Sequence, residues 1–209
     1  MIIISWSEIM STANLDKIRD CILADGVVAY PTDTLYGLGG NFFSLALSQK
    51  IDRLKKRRDL PYSVAVGTLA MLESLAVNIP EIFHLRLCEL LPGKFTFLFA
   101  ASPAIDTRLL KNSTKIGIRL PGLPPLLQLI EKIDLPLVST SANRSGQPPL
   151  NDPAQIASEF PEIDLLLDGG VLPASPGSTL IDVTVTPPKI VRRGSDWEKI
   201  SAILGDAPR

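Results

Sequence analysis

Histidine is almost missing from this chain: His84 is the only one in 209 residues. It lies in an apolar, helix-like stretch, so a Ser-His-Asp triad or a multi-histidine zinc site would have to rest on that one side chain. Two cysteines, Cys21 and Cys88, are too few and too far apart for a disulfide framework or a zinc ribbon. No G-x-x-x-x-G-K-[ST] occurs, which excludes a P-loop, and "GLGGNF" fails at the third glycine of a dinucleotide fingerprint. No pair of carboxylates stands out for acid–base hydrolysis. No apolar run is long enough to cross a membrane, and "MIIISWSEIM" lacks the basic flank of a secretory signal. These absences point to a cytoplasmic protein. A net charge of -1 excludes a globally basic nucleic-acid binder but leaves room for a local basic patch.

What is abundant is proline, with 18 residues, which implies many defined turns and few long helices. Short apolar runs such as "IIIS", "VVAY", "SVAVG", "FTFLFAA", "KIGIRLP", "LPLVST", "DLLLD", "STLIDVTV" and "PKIVRR" predict strands. Helices are expected over "NLDKIRDCILADG", with Gly26 as its stop, over "SLALSQKIDRLKKRR", "PEIFHLRLCELL" and "PPLLQLIEKI", from Asp152 to about Phe160, and from Asp196 onward. Alternating strands and helices define an α/β or α+β sheet domain, with antiparallel pairing near the end. No repeat or linker interrupts the pattern, so residues 1–209 read as one domain with no further C-terminal domain.

Four strand-end loops carry hydroxyls, cations, amides and glycines, the groups that act by positioning and electrostatics in phosphoryl and nucleotidyl transfer. In "YPTDTLYGLGG" Thr32 and Thr34 flank Asp33, and the glycines would let backbone N–H groups approach a ligand. "LKKRRDLP" closes a run of six cations, Lys50, Arg53, Lys55, Lys56, Arg57 and Arg58, which suit either phosphate or a helix C-terminus. "VSTSANRSG" offers Ser139, Ser141 and Asn143 straight after a strand. "SPGSTLIDV" and "VRRGSDW" add Ser178, Thr179, Arg192 and Arg193. Phosphate binding requires that the four loops meet in one cleft.

Taken in order, "YPTDTLYGLG", "LKKR", "IGIRLPG", "LVSTSAN", "STLIDV" and "VRRG" resemble the YrdC-like family, whose members include threonylcarbamoyl-AMP synthases. The family's K-x-R and S-x-N signatures correspond to Lys55-x-Arg57 and Ser141-x-Asn143. The resemblance implies a twisted open mixed α/β sheet with a concave, positively lined cavity. It implies synthesis of L-threonylcarbamoyladenylate and pyrophosphate from L-threonine, bicarbonate and ATP, with Mg2+ accompanying the ATP and no metal site of the protein's own. Downstream threonylcarbamoyl-transfer proteins would modify tRNA, and contact with tRNA or another RNA is a further expectation. By the same resemblance Thr34, Arg119, Ser139 and Thr179 hold threonine. Lys55, Arg57, Ser141, Asn143 and Arg192 surround ATP, the first four at the centre of the chemistry. The chain departs from common family patterns at Arg58, Pro61, Val66, Lys94 and Lys115, and "GGVLPASPGSTLID" leans toward YciO-like paralogs. The alternatives are a non-catalytic RNA-binding or ribosome-associated paralog using the rim from Lys50 to Arg58, and a different adenylating enzyme on the same fold.

Overall fold

The structure, a computed structural model, describes residues 1–56 and 61–204. Among these, eleven strands form one mixed sheet: β1 (Ile2–Ser5), β2 (Val28–Pro31), β3 (Tyr36–Gly39), β4 (Ser63–Ala65), β5 (Ala76–Val77), β6 (Phe95–Ala101), β7 (Lys115–Arg119), β8 (Leu137–Ser141), β9 (Leu165–Asp168), β10 (Thr179–Asp182) and β11 (Lys189–Arg192). Their spatial order is β1-β9-β2-β3-β8-β4-β7-β6-β10-β11, with β5 beside β6. Pairs β1/β9, β2/β9, β4/β7 and β6/β10 are parallel, and the others antiparallel, including the expected β10/β11 pair. Six α-helices are described: α1 (Thr12–Leu23), α2 (Leu45–Lys55), α3 (Leu69–Leu75), α4 (Pro124–Ile133), α5 (Pro153–Glu159) and α6 (Trp197–Leu204). None is long and apolar enough to cross a membrane.

The unbroken apolar runs are strands covered on both faces. In β2, Val28 and Tyr30 face a core built with α1 and α4, while Ala29 faces a larger one. In β9, Leu165 and Leu167 divide from Leu166 in the same way. Helix α2 starts where Ser44 accepts the Leu47 N–H, and α5 where Asp152 accepts the Ala154 N–H. Helix α1 stops earlier than Gly26, and Asp25 takes the left-handed conformation (φ 58°) expected of a glycine.

Two expectations change. The helix expected over "PEIFHLRLCELL" is a π-helical turn, Phe83–Leu87, followed by a 3-10 turn, Cys88–Leu90. Phe83 is drawn in against Phe97 and Phe99, at edge-on centroid distances of 5.3 and 4.9 Å, and Pro92 keeps Leu91 extended. The glycine-rich "YGLG" is strand β3 rather than a ligand-facing loop. A Cβ at Gly39 would stand 1.8 Å from the Val138 carbonyl oxygen, and one at Gly37 3.2 Å from the Tyr30 ring. These glycines admit a tyrosine and a neighbouring backbone, and only Gly37 also reaches the cavity described below.

The sheet curls. Strands β3 and β7 are separated by β8 and β4, roughly 14 Å apart if the sheet were flat. Yet Asp33, at the tip of the β2–β3 hairpin, forms an ion pair with Arg119 at the end of β7. Twist bends the middle of the sheet into a trough that this pair bridges.

Candidate functional site

The trough holds a cavity of about 510 Å³. Period-two alternation puts Lys115, Gly117 and Arg119 of β7 on its floor, beside Thr96 and Leu98 of β6. Thr34, Ser139, Ser141, Ser178 and Arg192 complete its polar wall. Residues from three of the four expected loops therefore meet, whereas of the basic loop only Pro61 lines the cavity among the described residues, and Arg57 and Arg58 lie outside them.

Arg119 is buried and directed by two neighbours. Its Nη2 donates to Asp33 Oδ1, its Nη1 to Thr34 Oγ1 at 3.4 Å, and its Nε has no acceptor among the described residues. The other oxygen of Asp33 accepts the Gly122 N–H at 2.9 Å. Thr32 fixes the hairpin tip by accepting the N–H groups of Thr34 and Leu35, both at 3.1 Å. A guanidinium at a cavity wall beside hydroxyls has the chemistry to receive a carboxylate or phosphate.

Lys55 stands behind the wall, almost wholly buried, at the end of α2. Its ammonium donates to the carbonyls of Ser141 (2.5 Å) and Asn143 (2.7 Å) and to Asn143 Oδ1 (3.2 Å). Ser141 Oγ donates to the same Oδ1 at 2.5 Å, and the Asn143 amide donates to the Arg144 and Gln147 carbonyls. Lys55 and Asn143 thus shape the loop whose Ser141 faces the cavity. The expected basic rim is also partly spent, since Lys50 donates to the Asp25 carbonyl at 2.7 Å.

Thr179 is fully buried and turned away from the cavity. Its hydroxyl donates to the Ser195 carbonyl at 2.8 Å and accepts the Gly194 N–H at 3.0 Å. The cavity wall at this point is Ser178, which hydrogen-bonds Thr96 at 2.8 Å. Arg192 donates to the Ser178 carbonyl at 2.9 Å. Burial, and then the charge of Arg119, lower the pKa of Arg192, so two guanidiniums share one site. Lys115, opposite in the trough, pairs with Asp182 at 2.7 Å. Burial works against the Asp182 carboxylate, but hydrogen bonds from Lys115 and Thr184 outweigh it and hold the carboxyl below its usual range. Ser178 was expected with its loop, whereas Ser63, Thr96 and Lys115 were not among the expected site residues, and strand alternation counted from Arg119 would have found Lys115. His84 is exposed and does not line the cavity. Among the described residues no group of three or more His, Cys, Asp or Glu side chains is placed to hold a metal ion.

Tyr30 supports this floor from behind. Its hydroxyl donates to the Val138 carbonyl at 2.8 Å. Burial pushes its pKa up to about 12, against smaller opposing effects of Ser139 and Arg119. The unfolded phenol ionises near pH 10 and the folded one near 12. The stabilisation is therefore complete below pH 10 and is lost as pH rises toward 12. On going from pH 8 to 11 the wild type should lose about 1 kcal/mol more stability than Tyr30→Phe in denaturant unfolding.

With the cavity defined, comparison with known proteins places the chain. The family model for Sua5, YciO and YrdC proteins, described as "Telomere recombination", matches residues 20–194, and the chain belongs to this family. It is 31% identical over 183 residues to the threonylcarbamoyl-AMP synthase of Pyrococcus abyssi, covering 86% of this chain and 54% of that protein. It is 33% identical over 209 residues to the human threonylcarbamoyl-AMP synthase, covering 95% of this chain and 72% of the human one. The solved structure of P. abyssi Sua5 complexed with L-threonine superposes with a TM-score of 0.89 at 28% identity, over 99% of this chain and 62% of that one. The chain thus spans about half the length of the archaeal relative.

Proposed function

We propose that this chain is an L-threonylcarbamoyladenylate synthase, a nucleotidyltransferase that converts L-threonine, bicarbonate and ATP to threonylcarbamoyl-AMP, pyrophosphate and water. The observation that carries the reading is the single cavity in which Arg119, Thr34 and Ser139 stand beside Ser141, Ser178 and Arg192. Arg119 takes the threonine carboxylate, with Thr34 and Ser139 on the amino acid's polar groups. Ser141 and Arg192, with Arg57 and the loop shaped by Lys55 and Asn143, take the nucleotide.

Threonine's amine combines with bicarbonate to form a carbamate, losing water. A carbamate oxygen then attacks the α-phosphorus, and the bond to the β-phosphate oxygen breaks to release pyrophosphate. Two anions must approach, and the guanidiniums of Arg119 and Arg192 offset that repulsion while holding the reactants in place. Mg2+ enters as part of the ATP substrate, and no step is assigned to it. The product serves a downstream threonylcarbamoyl transfer to tRNA in the cytoplasm.

Incubation with 13C-bicarbonate, threonine and ATP tests the reading. A threonylcarbamoyl-adenylate one mass unit heavier than the unlabelled product is expected. Formation of AMP and pyrophosphate alone would overturn the proposal.

A further inference from the structure

We infer that Asp33 is a positioning residue for threonine recognition, and that it acts through Arg119 without touching the substrate. The inference rests on the synthase reading above. Asp33 does not line the cavity, and its side chain is 6% exposed. Both its oxygens are engaged, one by Arg119 Nη2 and the other by the Gly122 N–H at 2.9 Å. It therefore ties three places together: the hairpin tip, the end of β7 and the turn after it.

The consequence falls on the orientation of the guanidinium. A guanidinium is a planar fork, and fixing one terminal nitrogen limits where the others point. With Nη2 held by Asp33, Nη1 faces the Thr34 hydroxyl, and Nε is buried with no acceptor among the described residues. Nε is closed off from the cavity, so Nη1, with its long 3.4 Å contact to Thr34 Oγ1, is the donor left to meet an anionic ligand atom. Asp33 also offsets the charge of Arg119 close to Arg192, whose own pKa is lowered by burial and by Arg119. Without the carboxylate, Arg119 would be free to turn toward any anion in the cavity, phosphate included. With it, the remaining donors are set for one small carboxylate.

The same pair bridges the trough, so a purely structural role must be told apart from positioning. Asp33→Asn keeps the shape and one acceptor but removes the charge and one of the two contacts. Asp33→Glu keeps the charge and displaces it by one methylene. Binding of threonine and of ATP is measured separately by calorimetry on both variants and on the wild type, with steady-state KM values for each substrate. Each variant is expected to weaken threonine binding about tenfold while ATP binding stays within about twofold of wild type. Retained ATP binding shows that the cavity is intact, and if Asp33→Asn does not fold, Asp33→Glu decides. Unchanged threonine binding, or equal loss of both ligands, would overturn the positioning role and leave the synthase reading standing. Wild-type protein that binds ATP but no threonine would overturn both, before any variant is compared.

Discussion

Arg119→Ala is expected to abolish threonine-dependent pyrophosphate release and to cost the fold about 3 kcal/mol or more. Two effects add. The substitution removes the buried guanidinium aimed into the cavity, and it leaves the Asp33 carboxylate buried with the Gly122 N–H as its remaining partner. A stranded buried charge is among the few causes of so large a loss. Denaturant unfolding and pyrophosphate release read the two effects separately. Arg119→Lys keeps the charge but not the fork, and should recover much of the stability and little of the activity. Full activity in the alanine variant would remove Arg119 from the site.

Lys55→Met should lower adenylate formation at least about a hundredfold, although the side chain never faces the cavity. Methionine has nearly the same length and cannot donate, so the Ser141 and Asn143 carbonyls and Asn143 Oδ1 lose a charged donor. The loop that presents Ser141 then loses its charged anchor to α2, at a cost of about 2–3 kcal/mol, and keeps the bonds of the Ser145 N–H to the Lys55 carbonyl and of Arg144 to the Leu54 carbonyl. ATP binding should weaken more than threonine binding, the reverse of the pattern expected for Asp33. Calorimetry with each ligand distinguishes them. Equal weakening of both would mean that Lys55 supports the whole cavity and not the nucleotide loop.

Most of the sheet was legible in the sequence because its strands are short apolar runs punctuated by proline and glycine. Strand β3 was not, since "YGLG" lacks the β-branched residues that usually mark a strand, and its glycines answer to the ring of Tyr30 on β2. Helix α3 was missed because seven residues hold barely two turns of periodicity. The hydroxyls and cations of the site were visible as loop composition, whereas their pairing was not. Asp33 and Arg119 are 86 residues apart, and only the curl of the sheet brings them together. The choice between Ser178 and Thr179 turns on strand phase at the start of β10, which composition cannot reveal. Lys55 belonged to a conspicuous cationic run, yet its burial follows from the return of the Ser141–Asn143 loop to the end of α2.

The measurement that bears most directly on the proposed activity is pyrophosphate release from ATP and Mg2+, with threonine and bicarbonate withheld in turn. Release that requires both, at a rate removed by Arg119→Ala, is the expected result. Release from ATP that ignores threonine, or none from folded protein that binds both ligands, would contradict it.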